Sequence, residues 1–591
     1  MRFFEAKPWA APLLLALLCF AAYANTIGNG FHWEDETLIE KNVHIRTLRN
    51  LPYFFNPGYV NVYESGLGQR FRPLRTVSFA LDYALWKGDT RGYHFSNIML
   101  HCAAAVFLWL WLGAAGFAPA AALAGAALFA LHPVHAESVA YIKNRSDLIC
   151  AVFFFSSLWL WARFLAVGGR LRVSLSLLAA LLALLSKEMA LALPVLAALY
   201  YAYTLLAEGH RPDRRAVWLL PYLLLLGGYW AFKSGLMGDA KAVYPGTSLD
   251  QAWLVVRTLG SYLKLLLLPL KLSLDHSFPV TGLPDPASGL LAAAAVCGAA
   301  WAAFRRDWVS LFWAAAFFAM LAPVSNLVFI QGRSFAEQRA YIPSAAYCAL
   351  LGLWLSRLGA APGRRALAAA VLAGVLGLFY LGRTAARNSD WKDEITLWTR
   401  TVATDPSARG YYNLSVSYYR KGRYSEALGA AARSVELDPR VPDGYNTLGA
   451  VYMKLGLYEQ SIRAFEKCLQ LSDQKEYYAL ANLASLYGIT GKHAVAVDLY
   501  MKVVRMAPWF DGAYYNMALS LEQLGRAEDA LASLREAIAL NPFNAEASLK
   551  LGQMLAARGE KDRAAEVYRA MLERHPGDRR AAGELGRLTS P

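Results

Sequence analysis

The sequence predicts an all-α chain in two parts, a polytopic bundle of membrane helices followed by an α-solenoid, and three observations carry that reading. Apolar residues make up 56% of the 591 positions and the mean hydropathy is +0.28, too high for a chain of this length that folds wholly in water. Residues 9 to 382 hold repeated apolar runs close to the roughly 20 residues a helix needs to cross the hydrocarbon. From Tyr411 onward the chain instead repeats every 33 to 35 residues, with polar and apolar positions mixed at helical spacing.

Taken in order, spans are expected near 9–25, 94–115, 118–132, 148–166, 171–186, 189–207, 215–233, 287–304, 308–326, 340–357 and 365–382. The first resembles a signal peptide, with Ala22-Tyr23-Ala24 after the apolar run. It is read as a retained anchor, because cleavage would part the following acids from the helix that positions them. Starting with Arg2 and Lys7 inside, the basic loops Arg163/Arg170/Arg172, Arg211/Arg214/Arg215, Arg305/Arg306 and Arg357/Arg364/Arg365 all fall on the cytoplasmic side. This parity requires that 252–270 does not cross. Arg257, Lys264 and Lys271 interrupt that stretch at helical spacing and Pro269 weakens its end, the pattern of an interfacial or re-entrant helix. Eleven crossings result, and the C-terminal part lies outside the cytoplasm, in a bacterial inner membrane or an endoplasmic reticulum.

The net charge of +15 sits largely in loops that orient helices and does not point to nucleic acid. The six cysteines, at 19, 102, 150, 297, 348 and 468, have no paired spacing and imply neither a disulfide framework nor a zinc site.

The same parity gathers Glu34-Asp35-Glu36, His132 to Glu137, Lys187-Glu188 and Arg339 to Tyr341 at the outer face. Three consecutive carboxylates at a helix end are costly unless they face water or a polar cavity. The long loop 27–92, which carries Phe71-Arg72-Pro73-Leu74, reads as a functional lid. Tyr93, His94, Asn97 and His101 share one face of the second span, where they either serve a site or satisfy neighbouring helices. In His132-Pro133-Val134-His135-Ala136-Glu137, the proline parts the histidines and the spacing matches no zinc motif. With Arg145 close behind, a grip on phosphate and sugar fits better than a metal.

In the second half, Gly422, Gly456, Gly491, Gly525 and Gly559 mark turns between paired helices, and Pro406, Pro439, Pro508, Pro542 and Pro576 mark repeat ends, with Asp473 replacing one proline. This is a tetratricopeptide (TPR) array of five repeats with a C-terminal cap, stacked into a solenoid with a concave groove. Asn413, Asn482 and Asn516 share one place in their repeats and Asn446 lies one residue off it. Amides there suit the backbone of an extended acceptor peptide, or simply reflect how often Asn occupies this helix position.

The order of these motifs resembles the transmembrane and TPR repeat-containing O-mannosyltransferases and their bacterial relatives, within the GT-C superfamily of lipid-linked-sugar glycosyltransferases. The resemblance is carried by Asn29-Gly30-Phe31 with Glu34-Asp35-Glu36, by Phe71-Arg72-Pro73-Leu74 with Tyr93-His94, and by the run from Leu128 to Ile142 with Arg145. It continues through Leu185-Ser186-Lys187-Glu188, Gln338 to Ser344, Arg387-Asn388 and Trp391. It implies a GT-C-like domain over 1–386, a linker and first helix over 387–410, and the TPR array over 411–591. It also implies a polyprenyl- or dolichyl-phosphate-linked sugar as donor, and inverting transfer to a protein hydroxyl on the outer face. Where relatives carry two Asp residues this chain reads Glu34-Asp35, so Asp35 is expected as the base with Glu34 and Glu36 as neighbours.

Such a base must lie within hydrogen-bond reach of the acceptor hydroxyl, and a preorganised cation must meet the departing phosphate. Arg145, Lys187 and Arg339 are candidates for that cation, each with a headgroup contact or a simple ion pair as the alternative. Arg72, His94, His132, His135, Glu188 and Tyr341 complete the expected donor site, and Glu137 is expected to hold acceptor, sugar or a divalent ion. Two other readings stay open: a membrane-anchored TPR scaffold without transferase activity, and an oligosaccharide ligase or polymerase.

Overall fold

In the computed structural model, which describes residues 9–56, 59, 71–207, 209, 211–237, 244–330, 333–360, 363–472 and 476–589, the chain divides into residues 1–405 and 406–591. Arg2, Lys7 and Asp473 lie outside the described residues. Each of the eleven expected spans is built on helix. They are α1 (Ala10–Tyr23), α3 (Thr90–Ala114), α4 (Pro119–Leu131), α6 (Arg145–Val167), α7 (Arg170–Leu184), α8 (Leu193–Ala207), α9 (Leu219–Met237), α11 (Pro286–Phe304), α12 (Trp308–Leu321), α13 (Ser344–Leu358) and α14 (Arg364–Asn388). The short helix α2 (Pro73–Trp86) precedes α3, α5 (Ala136–Ala140) follows α4, α10 (Ser248–Leu267) precedes α11, and α15 (Glu394–Thr404) ends the unit.

Among the described residues, six helices are long and apolar enough to cross a membrane, or seven if α4 and α5 form one broken span. The other expected spans, among them those on α1, α12 and α13, are built on shorter apolar helices. Pro133 has no N–H to continue α4, and the chain bends there by 47°. The first unit is therefore a multi-pass membrane domain. α10 carries Asp250, Arg257 and Lys264 and is not among the six. Arg257 is buried, and its guanidinium donates to the carbonyls of Pro279, Thr281, Gly282 and Leu283, which pins the loop behind α10.

The bundle core is aromatic and small-residue packing. Trp111, Trp161 and Trp313 are fully buried within it. α4 and α13 approach so closely that a Cβ on Gly352 would stand 2.8 Å from the Ala121 carbonyl oxygen, the use of small residues that lets membrane helices touch. Residues 36–55 and α2 form a separate folded layer, with Leu38, Ile39, Ile45, Phe54 and Phe79 buried together. The described parts of the expected lid are thus packed, sharing an apolar cluster with Tyr93 and Ile142, while residues 57–58 and 60–70 of it lie outside the described residues.

The second unit is built from five helix pairs, the first helices being α16 (Ala408–Arg420), α18 (Pro442–Lys454), α20 (Tyr477–Ile489), α22 (Asp511–Gln523) and α24 (Ala545–Ala557). Their partners are α17 (Tyr424–Leu437), α19 (Tyr458–Leu471), α21 (His493–Met506), α23 (Ala527–Leu540) and α25 (Lys561–Arg574), and α26 (Arg579–Thr589) closes the array. Gly422, Gly456, Gly491, Gly525 and Gly559 all adopt positive φ, where a side chain would meet strain.

Candidate active site

Contacts between helix ends build the site. The C-terminal ends of α1, α7 and α9 meet the N-terminal ends of α6 and α8, and the segment before α13 joins them. Helix direction then puts Arg163, Arg170, Arg172, Arg305, Arg357 and Arg364 at the opposite end of the bundle.

The acids after α1 have three different surroundings. Asp35 is 1% exposed, and its carboxylate accepts the backbone N–H of His32 at 3.1 Å and of Lys143 at 2.8 Å. Burial outweighs those donors and the nearby Lys143 charge, and pushes its pKa up to about 8. Glu34 is more open and pairs with the Lys143 ammonium at 2.7 Å. Glu36 pairs with Lys41 at the surface, a contact of small energetic weight.

Aromatic rings brace this segment. Trp33, held at a φ of 50°, stacks parallel to Tyr141, which stacks on Trp391, while the edge of Trp33 meets Trp398. A left-handed non-glycine residue costs about 1–3 kcal/mol and persists where its surroundings over-determine it. Here the Trp33 N–H donates to Glu394 at 2.7 Å, and His32 Nε2 lies 2.6 Å from the Trp391 carbonyl oxygen.

Glu137 is fully buried and gripped by both terminal nitrogens of Arg333, at 2.9 and 3.2 Å, and it accepts the backbone N–H of Gln338. With both oxygens so engaged, it does not fit the divalent ion that was one expectation for it. Among the described residues, no three His, Cys, Asp or Glu side chains gather as a metal site. Arg339 lies in the same segment and donates to the Ser334 carbonyl.

A second charged group adjoins. Arg72 donates to Glu188 at 2.8 Å, Lys233 donates to the other Glu188 oxygen at 3.1 Å, and Lys187 pairs with buried Asp147. Arg145 points elsewhere. It pairs with Asp82 at 2.6 Å and donates to Asn97 and to the Tyr93 carbonyl, fully buried.

The histidines are also interior. His132 accepts the Val134 N–H on Nδ1 and so carries its proton on Nε2, toward the Leu266 carbonyl. His135 bonds Ser344, and the Tyr341 hydroxyl lies 2.6 Å from His101 Nδ1. These residues hold the broken turn after α4 against α3 and α13, and His94 is wholly buried beneath Asn29 and Gly30. The structure thus brings Glu34, Asp35, Glu137, Arg72, Lys187, Glu188 and Arg339 to one end of the bundle. It places Arg145, His94, His132, His135 and Tyr341 in the supporting core.

In the repeat unit, Asn482 donates to Asn446 at 3.1 Å across neighbouring repeats. Asn413 turns its amide to the Arg409 carbonyl of its own helix, and Asn516 is half-buried. Lys550, at the equivalent place in the last repeat, pairs with Glu522.

Sequence reasoning missed Arg333, Lys143, Lys233 and His276. Each is a lone basic residue in or beside an apolar or loop segment, and only its partner reveals it. The Arg333–Glu137 pair is separated by 196 positions.

Profiles of the tetratricopeptide repeat match residues 408–441, 441–508 and 515–579. The chain is 26% identical to the Drosophila melanogaster protein O-mannosyl-transferase Tmtc1, covering 95% of this chain and 78% of that protein. It is 26% identical to a Caenorhabditis elegans protein O-mannosyl-transferase, covering 72% of this chain and 62% of the relative. The Homo sapiens protein O-mannosyl-transferase TMTC4 is 25% identical over 71% of this chain and 65% of its own length. The chain therefore spans less than two thirds of the worm and human relatives. The chain is thus similar over most of its length to protein O-mannosyl-transferases that include TMTC4, and it carries a tetratricopeptide array.

Proposed function

We propose that the chain is a membrane protein O-mannosyltransferase of the GT-C type, moving mannose or a similar hexose from a polyprenyl- or dolichyl-phosphate donor to Ser or Thr of a protein acceptor. Transfer is inverting and takes place on the extracytoplasmic side. Asp35 is the base that takes the acceptor proton as the hydroxyl attacks the anomeric carbon, with Glu34 and Glu36 as its neighbours. The lipid phosphate leaves toward the cations Arg72, Lys187 and Arg339, and the groove lined by Asn413, Asn446, Asn482 and Asn516 recruits the acceptor.

The observation that carries this reading is Asp35 itself: a carboxyl aimed by two backbone amides, with a pKa pushed up to about 8 by burial. A base whose pKa lies near the working pH is well matched to general-base transfer, and strongly perturbed carboxyls in polar clefts are functional candidates. The names of the relatives agree with mannose and a protein acceptor. The charge asymmetry of the bundle agrees with an outward-facing site.

The test uses the full chain in lipid nanodiscs, with radiolabelled polyprenyl-phosphate-mannose and a mixture of unmodified secretory proteins as acceptors. Labelled protein is expected with the wild type and absent with Asp35→Asn. No label from any lipid-linked hexose would refute the transferase reading and favour a scaffold.

A further inference from the structure

One residue at the candidate site holds a hydrogen-bond donor with nothing in the protein to receive it. Gln338 lies in the turn Glu337–Ala340 before α13 and is half-buried. Its backbone is pinned twice, since its N–H donates to the Glu137 carboxylate at 3.3 Å and its carbonyl accepts the Tyr341 N–H at 3.2 Å. Its side-chain amide meets that of Asn144, a residue 194 positions away and 2% exposed. Which end of each amide points where follows from a group that cannot turn. The Glu137 backbone carbonyl can only accept, so Asn144 must present its Nδ2, at 3.2 Å. The second hydrogen on that Nδ2 can be received by Gln338 only on Oε1. The two hydrogens on Gln338 Nε2 are then turned away from Asn144, and among the described residues no group accepts them.

The position of this donor says what it meets. Asn144 closes the turn Ile142–Asn144, whose Lys143 N–H holds the Asp35 carboxylate. Arg339, one of the cations toward which the phosphate leaves, follows Gln338 directly. In an inverting transfer the acceptor hydroxyl and the phosphate lie on opposite sides of the anomeric carbon, so the sugar ring occupies the space between base and cation. The charges beside Gln338 are already matched, Glu137 with Arg333 and Glu34 with Lys143. An uncharged donor among paired charges suits an uncharged acceptor, which in this ligand is a sugar hydroxyl and not the phosphate.

We propose that Gln338 determines sugar specificity: its Nε2, held in orientation by Asn144, donates to one ring hydroxyl of the lipid-linked hexose. This rests on the transferase reading for the identity of the donor. A site built to hydrogen-bond a hydroxyl discriminates strongly against an analogue that lacks it, because the site's polar group is then left unpaired.

The test uses the full chain in lipid nanodiscs, without acceptor, and compares retention of polyprenyl phosphate with that of its mannosyl, glucosyl and galactosyl forms. Wild type is expected to retain one hexose form about tenfold more tightly than the bare lipid phosphate. Gln338→Met is expected to lose that preference and to hold the bare lipid phosphate as wild type does. Gln338→Glu keeps the oxygen that Asn144 needs and drops the donor, so it should lose the preference as well; a preference like that of wild type would make Gln338 a structural partner of Asn144 and overturn the proposal. Removing the hexose hydroxyls one at a time should identify the partner, with one deoxy form retained about tenfold more weakly by wild type and no more weakly than the complete sugar by Gln338→Met. Equal losses in wild type and Gln338→Met at every position would overturn the proposal, as would a wild type indifferent to the sugar. Retained lipid phosphate without sugar preference defeats this contact alone, whereas a chain that retains neither lipid defeats the donor reading with it.

Discussion

The sharpest test of the active-site assignment is the pH dependence of transfer. Asp35 must be ionised to accept a proton, and burial pushes its pKa up to about 8. Only ~10% of the enzyme is then competent at pH 7 and ~90% at pH 9, so kcat/KM should rise roughly tenfold between them and level off above. Lys143 favours the ionised form, both through its backbone N–H, 2.8 Å from the carboxylate, and through its charge. Replacing its side chain in Lys143→Met removes the charge and leaves the N–H. The midpoint of the profile should therefore move upward, with little change in the plateau rate. Asp35→Asn, which can accept only one of the two backbone hydrogen bonds well, should lose about 10²–10⁴-fold in rate. The assay is initial-rate transfer in nanodiscs from pH 6 to 10, with thermal unfolding of each variant to confirm folding. A flat wild-type profile across pH 7 to 9, or Asp35→Asn activity within threefold of wild type, would refute the reasoning.

Three further outcomes follow from the geometry. Arg145→Met strips the buried Asp82 carboxylate of its partner and should cost about 3–5 kcal/mol in unfolding experiments; the double variant with Asp82→Leu should recover much of that, and retained donor binding in it would settle Arg145 as structural. His276 lies 2.9 Å from Glu337, and although burial opposes its charge, hydrogen bonds to Asp405 and Glu337 push its pKa up to about 9 from 6.5. Because the folded value is the higher one, the stabilisation is complete below about pH 6.5 and is lost as pH rises through about 9. Thermal unfolding of wild type against His276→Gln should show this slope only in the wild type. Gly352→Val would drive a side chain into the Ala121 carbonyl, 2.8 Å from where its Cβ would stand, and should destabilise the bundle by about 1–3 kcal/mol, read as a lower melting temperature.

The helices were legible because the signals for them are local. A membrane span announces itself by length and composition, and the TPR turns by glycine at a fixed period. Pro133 likewise foretold the bend after α4, since a missing N–H breaks a helix in any context. What the side chains do was harder to read. Arg145 and Arg333 look alike in sequence, a lone arginine next to small polar residues. One is locked under α2 by Asp82, and the other grips Glu137 at the edge of the site. The rotation of each helix about its axis decides which way its charge points, and that rotation depends on packing across the bundle. His132 and His135, expected at the donor site, are buried against neighbouring helices, and the sequence does not show this because a histidine facing inward and one facing a cleft have identical neighbours in the chain.

This sorting of charges also weighs the transferase against a scaffold that keeps the fold and not the chemistry. Two buried cations in the core have structural occupations: Arg145 meets Asp82 and Asn97, and Arg257 holds four carbonyls of one loop. Removing any of these would leave a buried group unpaired, so a scaffold would need them too. Asp35 is different. Its hydrogen bonds come from two backbone amides, and burial disfavours its charge so far that its pKa rises to about 8. A carboxyl held against that penalty, beside the Glu34–Lys143 pair and next to Trp33 at positive φ, is the arrangement on which the proposed proton-accepting role rests.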